Sequence, residues 1–148
     1  MTTGVQYDGW VIVTGQDFRE KIIVRDTTQD KITNPDWDKC EPESQQKIHP
    51  PKDLTGWTAK MDIRVSKSFE SDLIKSLSSG LGITIGSPDP VDGSLEIFID
   101  NTETKIDPIL EYAGKSVYYD LFLIPPSPQD NVRILYGTIF IEQATTDV

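Results

Sequence analysis

The sequence predicts an all-β domain, a two-layer antiparallel sandwich of about seven or eight short strands with one short helix. Three observations carry this. Residues 57–65 alternate strictly: Trp57, Ala59, Met61, Ile63 and Val65 fall on one face, and Thr58, Lys60, Asp62 and Arg64 on the other. Successive side chains of a strand point to opposite faces, so period two over nine residues means a half-buried β-strand. The remaining apolar runs are short, β-rich and spaced as in a sandwich. Ten glycines and ten prolines in 148 residues punctuate them.

Taken in order, residues 7–13 hold Trp10-Val11-Ile12-Val13, a short β-rich run, and Gly15-Gln16 marks a turn. Residues 18–25, centred on Ile22-Ile23-Val24, read as a second strand. The two either pair as a hairpin, or the first is an arm that packs on another subunit. Residues 27–52 are polar and carry Pro35, Pro42, Pro50 and Pro51, with only Ile32, Trp37 and Ile48 as apolar anchors. They read as a long inserted loop, and a loop of that length is usually either functional or partly disordered. Thr55-Gly56 permits the bend from which the 57–65 strand starts. Residues 66–77, with Phe69, Leu73, Ile74 and Leu77, have a spacing that suits either a short amphipathic helix or an irregular strand, and a loop followed by a strand is preferred; Ile83-Thr84-Ile85 reads as a short strand. Asp89-Pro90-Val91-Asp92-Gly93 reads as a turn, and Leu95, Ile97 and Ile99 as one face of another strand. Asp107 to Gly114 has the marks of the single helix: Asp107 as N-cap, Pro108 in the first turn and Gly114 as the left-handed stop. Residues 117–124 and 133–141 form a hairpin about the proline-rich loop 125–131, which cannot continue a ladder. The organisation expected is an arm or first strand at 1–14, the sandwich at 15–142 with its insertion at 27–52, and a polar tail at 143–148.

Charge and composition exclude several classes. The formal net charge is −10, with −8 of it in residues 53–148, so nucleic acid and anionic membrane surfaces are disfavoured. No apolar run approaches a membrane span. No basic-then-apolar leader opens the sequence, and Cys40 is the only cysteine, so an intrachain disulfide is impossible. The expectation is a soluble protein folded in a reducing cytoplasm.

Several pieces together resemble a known family. They are Gly15-Gln16-Asp17-Phe18, Asp53-Leu54-Thr55-Gly56-Trp57-Thr58-Ala59 running on to Ile63-Arg64, and Gly93-Ser94-Leu95-Glu96-Ile97. After the Asp107 to Gly114 segment come Tyr118-Tyr119-Asp120-Leu121 and Leu135-Tyr136-Gly137-Thr138-Ile139. In this order they resemble the immunoglobulin-like domains of tailed-bacteriophage virions, and the layout is similar to the N-terminal attachment domain of upper baseplate proteins. The resemblance spans residues 15–141. The insertion at 27–52 and the 125–131 loop depart from it. It implies an Ig-like β-sandwich that acts in assembly and is not an enzyme, although the Cys–Trp–Cys core of antibody domains is absent.

The chemistry-bearing residues support no cofactor, metal or catalytic reading. Asp36, Asp38, Cys40, Glu41, Glu43 and His49 lack the paired close spacing of a zinc site, and a solvated acidic loop is the preferred reading. Asp89 to Gly93 lacks the alternating ligands of a calcium loop. His49 is the only histidine, and no nucleophile elbow or phosphate-cradling glycine loop is present. The informative residues are Phe98, Phe122 and Phe140. Alternation points each away from the core, where a solvated face prefers polar side chains. With Trp10 and Trp37 they are the expected interface residues, the alternative being that the 27–52 segment with Trp37 covers the three phenylalanines or that they lie scattered singly. The function expected is a structural component of a phage virion, made in the host cytoplasm. It would be an adaptor joining tail, baseplate or fibre proteins, or a head accessory subunit. Its partners would be other virion proteins and copies of itself in a symmetric assembly. The alternative is a carbohydrate- or host-receptor-binding module, for which Trp37 and Tyr112 are the loop aromatics.

Overall fold

A computed structural model describes residues 5–25, 51–68, 70–86 and 89–146. The strands are β1 (Val5–Gln6), β2 (Trp10–Val13), β3 (Phe18–Ile23), β4 (Thr58–Arg64), β5 (Leu73–Ser79), β6 (Gly82–Ile85), β7 (Ser94–Ile99), β8 (Ser116–Ile124) and β9 (Val132–Glu142). The all-β expectation holds. The layering differs: these strands form one curled mixed sheet, a half-barrel, in the order β1-β9-β8-β4-β5-β6-β7-β3, with β2 also on β9. The predicted pair of separate antiparallel layers is therefore corrected to one continuous sheet with two facing flanks.

The continuity depends on a corner. β5 and β6 pair in parallel through only two register pairs, Ser78↔Gly82 and Ser79↔Ile83. Gly80, in a left-handed conformation, and Leu81 carry the chain across with Leu81 N–H donating to the Ser78 carbonyl at 2.7 Å. On one side of the corner stand β5, β4, β8 and β9, and on the other β6, β7 and β3. Alternation reports which face of a strand is buried. It is silent on whether that face belongs to one sheet or two, and backbone pairing at this corner decides it.

The two N-terminal strands do not form a hairpin. β2 runs parallel to β9, with Trp10 beside Ile139 and Ile12 beside Ile141, whereas β3 runs antiparallel to β7. Their connection crosses from one flank to the other and is clamped by a helical turn, α1 (Asn101–Thr104). Thr104 is fully buried there; its hydroxyl donates to the Gln16 carbonyl at 2.8 Å and accepts from Gly15 N–H at 3.1 Å. Asp17 accepts from Asn101 N–H at 2.8 Å. Asp100 caps α1 by accepting from Thr102, which holds its carboxyl below the usual carboxylate range. The helix expected at 107–114 is corrected to one 3-10 turn, Leu110–Tyr112, after a cis Asp107–Pro108 bond. Ile109 is fully buried there and Tyr112 and Ala113 pack partly against the core, a set too short to make the apolar stripe of a longer helix.

The core lies inside the curl. Met61, Ile63, Leu95, Ile97, Ile99, Leu121 and Ile139 are each 0% exposed, and all come from the predicted inward faces. The ends of the long connection are pinched together: Arg25 bridges Pro51, and Lys52 N–H donates to the Val24 carbonyl at 2.8 Å. Gly93 sits against this neck in a left-handed conformation, and a Cβ there would strike the Val24 and Lys52 backbone. The connection's residues 26–50, with Trp37, lie outside the described residues.

Trp10 is 5% exposed and stacks on Tyr119 with ring centroids 5.0 Å apart. Trp10→Ala is expected to destabilise the isolated chain by about 3–5 kcal/mol, the range for deleting a buried large aromatic. Urea unfolding of monomeric protein measures this. Unchanged stability would mean that β2 is a detachable arm.

Candidate functional site

The outer surface of β4, β8 and β9 forms a groove of about 910 Å³. Its floor is built from three cross-strand rows, set by register. The middle row aligns Asp62 of β4, Asp120 of β8 and Tyr136 of β9. On one side Lys60, Phe122 and Arg133 align, and on the other Arg64, Tyr118 and Thr138. Down the central strand the outward side chains therefore read Tyr118, Asp120, Phe122, with an acid between two rings.

A β-bulge completes the floor. The β8–β9 register shifts between Leu121 and Phe122, so that Leu121 faces Leu135 and Phe122 faces Arg133, leaving Ile134 as the extra residue. Arg133 and Tyr136, three apart, would lie on opposite faces of a regular strand. The bulge brings both outward, and the Arg133 guanidinium carbon lies 4.1 Å from the centre of the Tyr136 ring.

The polar groups hold one another in place. Asp62 accepts from Ser76 Oγ at 2.7 Å and from Arg64 Nη2 at 3.3 Å, and Arg64 Nη1 donates to the Ser71 carbonyl at 2.9 Å. At the rim Asp8 accepts from Thr138 N–H at 2.8 Å and from Gln6 Nε2 at 3.0 Å. The backbone of β9 accepts this neighbour because residue 137 is glycine: a Cβ there would collide with the Tyr7 carbonyl and the Asp8 carboxylate. Beneath the rim Tyr119 Oη donates to the Tyr7 carbonyl at 2.8 Å, and burial pushes that hydroxyl's pKa up. Asp120 is the strained member. Desolvation raises its carboxyl pKa most, Arg133 opposes this, and Asp62 adds to it. Opposed carboxylates directly across two strands are unfavourable, and the flanking arginines offset part of that cost.

The expected interface residues are scattered. Trp10 is in the core and offers no surface. Phe98 lies outward on β7, on the opposite flank, with the Arg19 guanidinium 4.4 Å over its ring. Arg19 also pairs with Glu96 at 2.8 Å, so Phe98 is roofed by its own neighbours. Phe122 is half-buried in the groove floor. Phe140 is 39% exposed, beside Val11 at 43%. Phe122 and Phe140 thus share a flank, and Phe98 does not join them. Tyr112 is half-buried, with Lys115 Nζ 5.7 Å from its ring centre. The groove residues Asp62, Arg64, Tyr118, Asp120, Arg133 and Tyr136 were not expected as a site. Their outward direction on β4 and β8 was legible; their meeting required the register. The stretch from Asp89 to Gly93 is the turn expected, a 3-10 turn capped by Asp89. Among the described residues no cluster of three or more His, Cys, Asp or Glu side chains is placed to hold a metal.

No protein-family model matches the chain, and no curated protein matches it.

Asp120→Asn is expected to stabilise the fold at neutral pH by up to about 1 kcal/mol, the scale of a cross-strand like-charge pair. The sign follows from linkage. The folded-state pKa lies above the ordinary 3.8, so the folded chain holds the proton more tightly, and stability falls as pH rises from 3.8 through the raised value. The advantage of the asparagine variant should therefore shrink on acidification and vanish below 3.8. Thermal melts of both proteins across pH measure it. An advantage independent of pH would remove the charge from the explanation.

Proposed function

We propose that the chain is an Ig-like structural module of a tailed-phage virion, assembled in the host cytoplasm, that joins other virion proteins as a connector and does no catalysis. Two features support the immunoglobulin-like part. β9, β8 and β4 neighbour one another as strands G, F and C do in an immunoglobulin domain, with β5 beyond β4 as an added strand. β6, β7 and β3 follow on the other flank in the order D, E, B. The ordered series of short motifs over residues 15–141 points the same way.

The observation that carries the assembly role is the sheet edge built by β1 and β2. Val5, Tyr7 and Val11 are 65%, 45% and 43% exposed along it, and Phe140 of the adjoining β9 adds to them. An edge strand offers unpaired backbone groups as a template for another chain, and proteins that avoid such pairing place charge there. β3, at the other end of the sheet, carries exposed Arg19 and Lys21. β1 and β2 carry no charged side chain, and the exposed Asp8 between them accepts from Thr138 N–H at the groove rim. The contrast supports the β1/β2 edge as the docking edge, for a copy of this chain or a neighbouring virion protein.

Mass spectrometry of purified phage particles is the test of class. The chain is expected at fixed stoichiometry, and its absence would sink the proposal. The edge has its own test: Val11→Lys should leave the melting temperature within a few degrees and abolish self-association or partner capture in light scattering. An assembly indifferent to that charge would place the contact elsewhere.

A further inference from the structure

We infer that the groove across β9, β8 and β4 is a binding site for a neutral oligosaccharide. This goes beyond the assembly role and does not rest on it. The floor carries both charge signs side by side, which disfavours a ligand of a single sign and an apolar one. An anionic ligand would meet Asp62 and Asp120 in the middle row and Asp8 on the rim, three carboxylates set among the four cations of the same lining. A cationic peptide would meet Lys60, Arg64, Lys67 and Arg133. An apolar ligand would strip water from seven charged side chains and give no hydrogen bond in return.

A neutral sugar answers all three objections. Each hydroxyl both donates and accepts, so one ligand serves carboxylates and guanidinium groups that lie side by side. Hydrogen bonds to charged partners are stronger than neutral ones. The C–H faces of pyranose rings are apolar and lie flat on aromatic rings, and the floor supplies Phe122 and, once Lys67 Nζ leaves its place 5.8 Å from the ring centre, Tyr118, on either side of Asp120. At ~3.3 Å per residue those rings stand ~13 Å apart, which suits a chain of sugars and exceeds a single one. The groove's 910 Å³ falls within the ~300–1,000 Å³ of small-ligand sites. The polar groups are held before any ligand arrives, Asp62 by Ser76 and Arg64 and the Arg133 guanidinium against Tyr136, so little ordering is left for binding to supply.

The test titrates the purified full chain with a panel of soluble neutral hexasaccharides built on glucose, mannose, galactose or N-acetylglucosamine, read by saturation-transfer NMR and calorimetry. At least one should bind. Phe122→Ala and Tyr118→Ala should each weaken it by about tenfold, the scale of one well-placed aromatic contact. Phe122→Tyr should retain binding, which separates loss of the ring from loss of the fold. Phe98→Ala, on the opposite flank, should change nothing. Silence from the whole panel at millimolar concentration overturns the inference. So does binding that survives both alanine variants or disappears with Phe98→Ala, and so does tighter binding of sulfated than of neutral oligosaccharides. A response to charged peptides and to no sugar would make the groove a protein-docking surface and would overturn it too. Particle composition and the Val11→Lys assay bear on the assembly role alone, so the two proposals fail separately.

Discussion

The structure depends on Trp10. β2 and β3 stand near opposite ends of a curled sheet, and no ladder pairs them. Backbone hydrogen bonds therefore do not close the curl on that side, and side chains do. Trp10 stacks on Tyr119 of β8, meets Phe18 of β3 edge-on at 5.9 Å, and receives Tyr7 edge-on at 5.7 Å. One indole thus touches both flanks and the N-terminal strands. Aromatic pairs in these geometries add about 0.5–1.5 kcal/mol each beyond the area they bury. Tyr119 extends the tie with its hydroxyl bond to the Tyr7 carbonyl, which needs the protonated form that burial favours.

That closure also sets the outer face. Docking β1 along β9 places Gln6 and Asp8 at the rim of the groove, and Gly137 is what lets the backbone of β1 come so near. The core and the groove are two faces of the same strands. Tyr119, Leu121 and Leu123 of β8 face inward, and Tyr118, Asp120 and Phe122 face outward. A change of register by one residue would exchange them. The β8–β9 bulge escapes this rule locally, which is why arginine and tyrosine, three residues apart, line one floor.

Acidity is unevenly used. The chain as a whole repels anions, yet the groove gathers Lys60, Arg64, Lys67 and Arg133 around its carboxylates. Local balance of charge in a globally acidic protein suits a ligand that is polar and uncharged. That face is distinct from the β1/β2 edge, whose exposed side chains Val5, Tyr7 and Val11 are uncharged.

The sequence by itself determined what depends on neighbouring residues. Period-two patterns named the inward side chains of β4, β7, β8 and β9, because a strand's faces alternate whatever its partners. The hairpin of β8 and β9 about its proline-rich loop was legible for the same local reason, as was the turn at Asp89 to Gly93. Tertiary structure alone decided what depends on pairing between distant segments. The parallel docking of β2 on β9 and the clamp of Thr104 on Gln16 join residues that no local pattern links. The groove belongs to this second kind. Asp62 and Asp120 are 58 positions apart in the chain, and only the antiparallel register of β4 and β8 sets them face to face. Trp10, an expected contact, lies in the core for the same reason: a short apolar strand near a chain end suits a partner's sheet or its own, and here it runs along β9 with its indole stacked on Tyr119.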